Sequence, residues 1–191
     1  MARPRSEDKR NAILSAATRV FAEQGLAAPT AKIAREAGVA EGTLFTYFAN
    51  KDELLNQLYL ELKYEMREVM SEGLRRVDEE DLRELAHRFW VAYIDWGVMH
   101  PHKRKVVSTL TLSDRISTEN RVAGAAAFAV FNSRLHNSVE QGLICSPSSN
   151  FVGALLGAIA EVTMDFVARE PERAAHYREA GFEAFWKSVS A

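Results

Sequence analysis

One cysteine, Cys145, stands in a chain of 191 residues, so no intramolecular disulfide framework can form. Prolines are few. All five, at positions 4, 29, 101, 147 and 171, fall between apolar-periodic segments and not inside them. No run of eighteen apolar residues occurs, so no transmembrane helix and no membrane partner is expected. The opening residues MARPRSEDKR lead into no long apolar block, so a secretory signal is not expected and a cytoplasmic location is. Glycine-rich phosphate loops, nucleophile elbows and paired-carboxylate signatures are all missing. The five histidines, at 87, 100, 102, 136 and 176, show no paired helical spacing and have no neighbouring cysteine. Neither a metal nor another cofactor is therefore expected, and an enzyme is disfavoured. Low-complexity tracts and internal repeats are absent too.

What is present is the mix of an ordinary globular chain. Apolar residues at 47% and charged residues at 26% are enough to build a core without staples. The net charge of −2 gives no hint of a nucleic-acid partner, but it averages two unlike regions. Residues 1–51 carry eight Lys/Arg against five Asp/Glu, a net +3. Residues 52–191 carry sixteen against twenty-one, a net −5. Such a split fits a basic contact surface at one end of an acidic protein.

Apolar residues recur at helical spacing along the chain, as in Ile13, Ala17, Val20 and Phe21, and again in Leu82, Leu85, Phe89 and Trp96. The pattern predicts an all-α fold of about nine helices. The first helix runs from about 7 to 24 and stops at Gly25. Others follow at about 31–37, with Thr30 as N-cap, and at about 41–47. A long helix begins after Asn50, whose partner for a reciprocal cap is Glu53, and ends near Leu74. Beyond the acidic stretch Asp78–Asp81 come helices at about 82–99, 103–111, 118–143, 149–169 and 172–189. The β-branched run KVVSTLTL at 105–112 has no partner strand in view, so it reads as a short helix.

Residues 26–55 carry the functional signal. The second helix, a reversal at Gly38 and the third helix form a helix-turn-helix. Ile33, Ala34 and Ala37 put apolar and small groups on one face of the second helix, so the third can cross it closely. Val39, Leu44 and Phe48 fill the same small core. Glu41, Gly42, Thr43, Phe45 and Tyr47 remain outward on the third helix. A short helix presenting hydroxyls and aromatics suits insertion into a DNA major groove.

These residues resemble the DNA-binding segment of the TetR family of bacterial transcriptional regulators. The likeness rests on Phe21-Ala-Glu-Gln-Gly25, Ile33-Ala-Arg-Glu-Ala-Gly-Val39, Gly42-Thr-Leu-Phe-Thr-Tyr-Phe48 and Asn50-Lys-Asp-Glu-Leu-Leu55, in order and at the right spacing. Two positions depart from the family pattern: Ala40 stands where a capping Ser is common, and Phe45 where Tyr is common. A lost cap costs about 1 kcal/mol, too little to endanger the fold. Phe45 gives up a hydrogen bond but can touch a thymine methyl. The resemblance implies phosphate contacts from Thr30, Thr43, Tyr47 and Lys51, and base contacts from Glu41, Gly42 and Phe45. It places Lys32 within reach of phosphate or base. The basic arm of Arg3, Arg5, Lys9 and Arg10 would follow the DNA backbone or minor groove.

The same resemblance implies a division into a DNA-binding domain, 1–51, and a helical ligand-binding and dimerisation domain, 52–191. Helices at 149–169 and 172–189 are heavily apolar, with Phe151, Val152, Leu155, Leu156, Ile159, Val162 and Phe166 on one and Tyr177, Phe182, Phe185 and Trp186 on the other. Such a hairpin either seals itself on its own domain or pairs with a second copy in a four-helix interface, and the family layout favours the homodimer. Gly153 and Gly157, four apart, permit close helix approach. Candidate effector contacts are Phe89, Tyr93, Trp96, Met99, Phe128, Phe131, Asn132 and His136, which favour an apolar or aromatic small molecule. The resulting expectation is a dimeric repressor on a palindromic double-stranded operator, released by that effector. An activator, a ligand-independent architectural DNA-binding protein, and a helical enzyme or scaffold remain the alternatives.

Overall fold

The computed structural model of the chain describes residues 6–74 and 81–190. Among these residues the secondary structure is helical, with no strand beyond one isolated antiparallel bridge between Ile144 and Ser190. Arg3 and Arg5 of the basic arm, and Asp78, Glu79 and Glu80 of the acidic stretch, lie outside the described residues. Ten α-helices follow in order: α1 Glu7–Gln24, α2 Thr30–Glu36, α3 Glu41–Tyr47, α4 Lys51–Leu74, α5 Leu82–Met99, α6 Pro101–Leu112, α7 Thr118–Ala126, α8 Ala129–Glu140, α9 Ser149–Arg169 and α10 Ala174–Val189. A 3₁₀ turn, Pro171–Arg173, precedes α10.

The chain packs as two units. The first comprises residues 1–65 with 100–125, and the second residues 66–99 with 126–191. In the first, α1 packs against α2 and α6, and α2 against α3. Its core is Ile13, Ala17, Val20, Phe21, Ile33, Ala34, Leu44, Phe48, Leu54 and Leu58, all buried. The KVVSTLTL run is helical, as its lack of a partner strand requires, and α6 begins at Pro101, whose missing N–H costs nothing in a first turn.

In the second unit α9 is central, packed against α5, α8 and α10. Trp90, Ile94, Ala160, Met164, Phe182 and Phe185 are buried there. The Trp90 ring lies parallel to that of Phe185, and its indole N–H donates to the Arg178 carbonyl at 2.9 Å. By length and composition alone α9 is apolar enough to cross a membrane, but one face of it is the core of this unit.

Two local expectations need correction. Thr30 is not a helix cap: Pro29 occupies the cap position, and Thr30 is the first residue of α2. The stretch 118–143 is not one helix but α7 and α8, broken at Ala127–Phe128. Phe128 leaves helical geometry, at φ −109° and ψ 19°, and its ring meets the Phe89 ring edge-on at 6.5 Å. The break falls where the chain leaves the first packed unit for the second.

Candidate nucleic-acid interface

The interface is built on α2, the reversal at Gly38 and α3. Gly38 takes φ +69°, a conformation that disfavours side chains, and the Val39 amide closes the turn on the Ala34 carbonyl at 3.0 Å. Ile33, Ala34, Leu44 and Phe48 lock the two helices together from inside. The first turn of α4 is fixed by the foreseen cap: Asn50 Oδ1 accepts from the Glu53 amide at 2.9 Å. The Glu53 carboxylate reaches back to the Ala49 amide at 2.6 Å, one residue before the partner of an ideal capping box.

On this frame Glu41, Gly42 and Phe45 are exposed, the last at 41%, while Thr43 and Tyr47 are half-buried. A side chain added at Gly42 would meet nothing within 4 Å, so packing inside the chain does not demand a glycine there. The Tyr47 hydroxyl accepts a hydrogen bond from the Ser6 amide at 2.9 Å, which ties the start of α1 to α3 and leaves the phenolic proton to donate elsewhere. The Thr30 hydroxyl donates to Glu41 Oε1 at 2.7 Å.

Lys51 is half-buried; its ammonium donates to the Ala28 carbonyl at 2.7 Å and lies 5.8 Å from the centre of the Phe21 ring. Two of its three protons remain for another acceptor. Burial holds its pKa below the usual lysine range, the Arg115 guanidinium lowers it further, and Asp52 opposes both. Lys32 faces two acidic residues, Glu23 at 3.9 Å and Glu36 at 3.8 Å, so its charge is partly balanced within the protein. Arg10 is drawn to α4, with Glu61 and Gln57 each at 3.4 Å.

The segment after α6, which no sequence pattern singles out, buttresses α4. The Arg115 side chain binds Asp52 at 2.5 Å and the Leu26 carbonyl at 3.4 Å. Asn56 on α4 accepts from the Ser117 amide and the Asn120 side chain, and donates to the Arg115 carbonyl, at 2.8–2.9 Å. Arg121 donates to the Thr111 and Ser113 carbonyls at 2.8 and 2.7 Å.

The effector candidates divide into two groups. Phe89, Tyr93, Phe128 and Phe131 come together, with Phe89 stacked on Phe131 at 4.0 Å and tilted against Tyr93 at 6.4 Å. Trp96 is buried. Asn132 is exposed, Met99 is 73% exposed, and the exposed His136 ring pairs with Glu140 at 3.2 Å. Asp95 is held by Arg178 at 2.7 Å. Beside the aromatic group lies a narrow, wholly apolar cavity of about 20 Å³, lined by residues that include Leu85, Phe131, Leu135, Ile144, Leu156 and Trp186. That volume holds no more than a water-sized guest.

Residues 13–58 match the family described as bacterial regulatory proteins, tetR family. The HTH-type transcriptional regulator YhgD of Bacillus subtilis (strain 168) is 26% identical over 151 residues, 74% of this chain and 76% of that protein. A TetR family transcription regulator of Shewanella sp. PV-4 superposes with a TM-score of 0.84 at 28% identity, over 98% of this chain and all (100%) of that one. The transcriptional regulator FadR of Bacillus subtilis, solved with stearoyl-CoA, shares the fold with a TM-score of 0.68 at 19% identity, over 92% and 97% of the two chains. A helix-turn-helix locked from within, an outward third helix and these likenesses lead to one conclusion: residues 13–58 carry the DNA-binding segment of the tetR family of bacterial regulatory proteins, the chain shares the fold of TetR family regulators, and it is a DNA-binding regulator of transcription.

Proposed function

We propose that the protein is a cytoplasmic homodimeric repressor that binds a palindromic operator and is released by an apolar small molecule. Residues 1–51 are assigned to DNA and 52–191 to dimerisation and sensing. It acts by binding, with no catalytic step. The observation that carries the dimer is the outer stripe of α9. Phe151 is 50% exposed, Val162 59% and Phe166 39%, with exposed Ala154 and Ala158 between them at helical spacing. Gly153 lies on the other side of α9, among the residues that line the apolar cavity, and a Cβ there or at Gly157 would meet nothing within 4 Å. A soluble chain seldom leaves such a stripe bare, and a second copy would cover it in a two-fold four-helix contact. Two recognition helices would then stand about one DNA turn, or a multiple, apart.

Within the DNA segment, Tyr47 and Lys51 are assigned to phosphate, both retaining donatable protons. Thr43 and Lys32 join them at the edge, and Gly42 and Phe45 face the bases. The effector reading is supported by the aromatic group of Phe89, Tyr93, Phe128 and Phe131 and by the apolar cavity beside Phe131. Binding anything larger than water there requires α5, α8 and α9 to part. That is the differential affinity for two states that release from DNA demands. The acyl chain bound by the related fold is one ligand of suitable chemistry.

The reading is tested with the full chain and duplex DNA flanking its own coding region. Sedimentation should show a dimer, and a mobility shift should saturate at one dimer per palindrome. Adding long-chain acyl-CoA or other apolar ligands should then release the DNA. A monomer at micromolar concentration would overturn the dimer. DNA affinity unmoved by every ligand that raises the melting temperature would overturn induction.

A further inference from the structure

The hydrogen bond from Thr30 to Glu41 joins the first residues of α2 and α3 across the outward side of the helix-turn-helix. An acidic side chain is costly beside a phosphate backbone, so its placement on this surface asks for a reason. Glu41 is exposed and lies one helical turn before Phe45 on the same face of α3. The Thr30 bond engages Oε1 and holds the carboxylate in one orientation, while Oε2 accepts no hydrogen bond among the described residues.

A carboxylate can only accept hydrogen bonds. In the major groove, guanine presents two acceptors, and thymine an acceptor and a methyl. Adenine presents a donor beside the N7 acceptor, which repels a carboxylate. Cytosine presents its N4 amino donor with no acceptor next to it. One oriented oxygen therefore matches one base.

We propose that Glu41 selects cytosine at one position of each DNA half-site, and that Thr30 is its positioning residue. The assignment rests on the reading that α3 enters the major groove. It moves the Thr30 hydroxyl from phosphate binding to the control of specificity.

The test is selection from a randomised duplex pool by the full-length protein, repeated with Glu41→Ala, Glu41→Gln, Thr30→Val and Thr30→Ser. The parent chain should enrich one cytosine at a fixed place in each half-site, with about tenfold loss when another base stands there. Glu41→Ala should erase the preference at that place alone. Glu41→Gln should move it to adenine, which an amide can bind through N6 and N7 together. Thr30→Val should weaken the preference and Thr30→Ser restore it, an outcome that general loosening of the fold would not produce. Both sites are at the surface, and thermal melts of the four variants check that each folds. An enriched consensus shared unchanged by the parent and both Glu41 variants overturns the proposal while leaving DNA recognition by the protein intact. Thr30→Val selecting as sharply as the parent removes the positioning role. Failure of the parent to enrich any sequence removes the reading of α3 and the proposal with it.

Discussion

Gly181 in α10 sits where two other helices leave no room. A Cβ built there would lie 2.2 Å from the Thr163 hydroxyl on α9 and 2.8 Å from Trp90 Cζ2 on α5. Neither neighbour can retreat cheaply. Thr163 is buried and its hydroxyl is bonded to the Ile159 carbonyl, and Trp90 is fully buried and bonded to the Arg178 carbonyl. Opening those gaps to van der Waals distance means moving α10 by about 1 Å from both helices, overpacking that costs about 3 kcal/mol. The better helix propensity of alanine offsets about 1 kcal/mol of this. Gly181→Ala should thus lose about 2 kcal/mol, or about 4–8 °C in melting temperature for a chain of this length. Gly153, exposed on α9 with open space around it, is the contrast. Gly153→Ala should keep or raise the stability of the isolated chain and leave its association unchanged, because Gly153 lies away from the exposed stripe of α9. Calorimetry and sedimentation on the same samples read the two quantities. A Gly181→Ala protein as stable as its parent would refute the close helix approach at that crossing.

Three further outcomes are expected. Lys51→Ala should weaken binding to every DNA sequence and flatten the slope of log affinity against log salt by about 0.9, and an unchanged slope rules out the phosphate contact. The depressed pKa of Lys51 adds a pH signature. As pH rises, its charge is lost before that of an ordinary lysine at 10.5, so affinity should begin to fall below that pH, and Lys51→Arg should remove the early fall. Tyr47→Phe should reduce DNA affinity about tenfold. It should cost under about 1 kcal/mol of stability, because the Ser6 amide it releases is near solvent; equal affinity for parent and variant would place Tyr47 off the phosphates. Asn56→Ala should lower stability by about 1.5 kcal/mol, since it removes three hydrogen bonds, to the Ser117 amide, the Arg115 carbonyl and the Asn120 side chain, whose exposed ends water can reoccupy. Arg115→Ala, which breaks a surface ion pair, should cost about 1 kcal/mol or less. Urea titrations giving the reverse order would show that the guanidinium and not the amide holds the 113–120 segment.

What the sequence made legible was local. The reversal at Gly38, the Asn50–Glu53 cap and the small Ala34 crossing each depend on residues within a few positions of one another, and each took the expected form. Thr30 is the better capping residue by type, yet the backbone puts Pro29 at the cap position and Thr30 in the first turn, where its hydroxyl serves Glu41 and not an amide of α2. The break at Ala127–Phe128 carries no proline and no positive-φ glycine, so nothing in the local pattern announces it. The clamp of Arg115 on Asp52 spans 63 residues and leaves no periodic trace. His136 shows the same limit in α8: it follows buried Leu135 by about 100° around the helix and so faces water.

The outer surfaces of the two units are nevertheless put to different uses by one rule. Inside each unit apolar side chains pack on one another, as Ile33 with Leu44 and Phe48 and Trp90 with Phe182 and Phe185 do. What faces outward from α3 and the start of α4 is a set of polar groups each half satisfied: Tyr47 has accepted but not donated, Lys51 has donated once of three times, and Glu41 has accepted on one oxygen of two. What faces outward from α9 is apolar and unsatisfied in the opposite sense, because Phe151 and Val162 leave half or more of their surface open to solvent. Half-satisfied donors and acceptors in fixed positions suit a partner with fixed donors and acceptors, as a duplex has. A bare apolar stripe has no direction to offer and suits a partner with the same stripe. The net +3 of residues 1–51, against −5 for residues 52–191, agrees with an anionic partner for the first region.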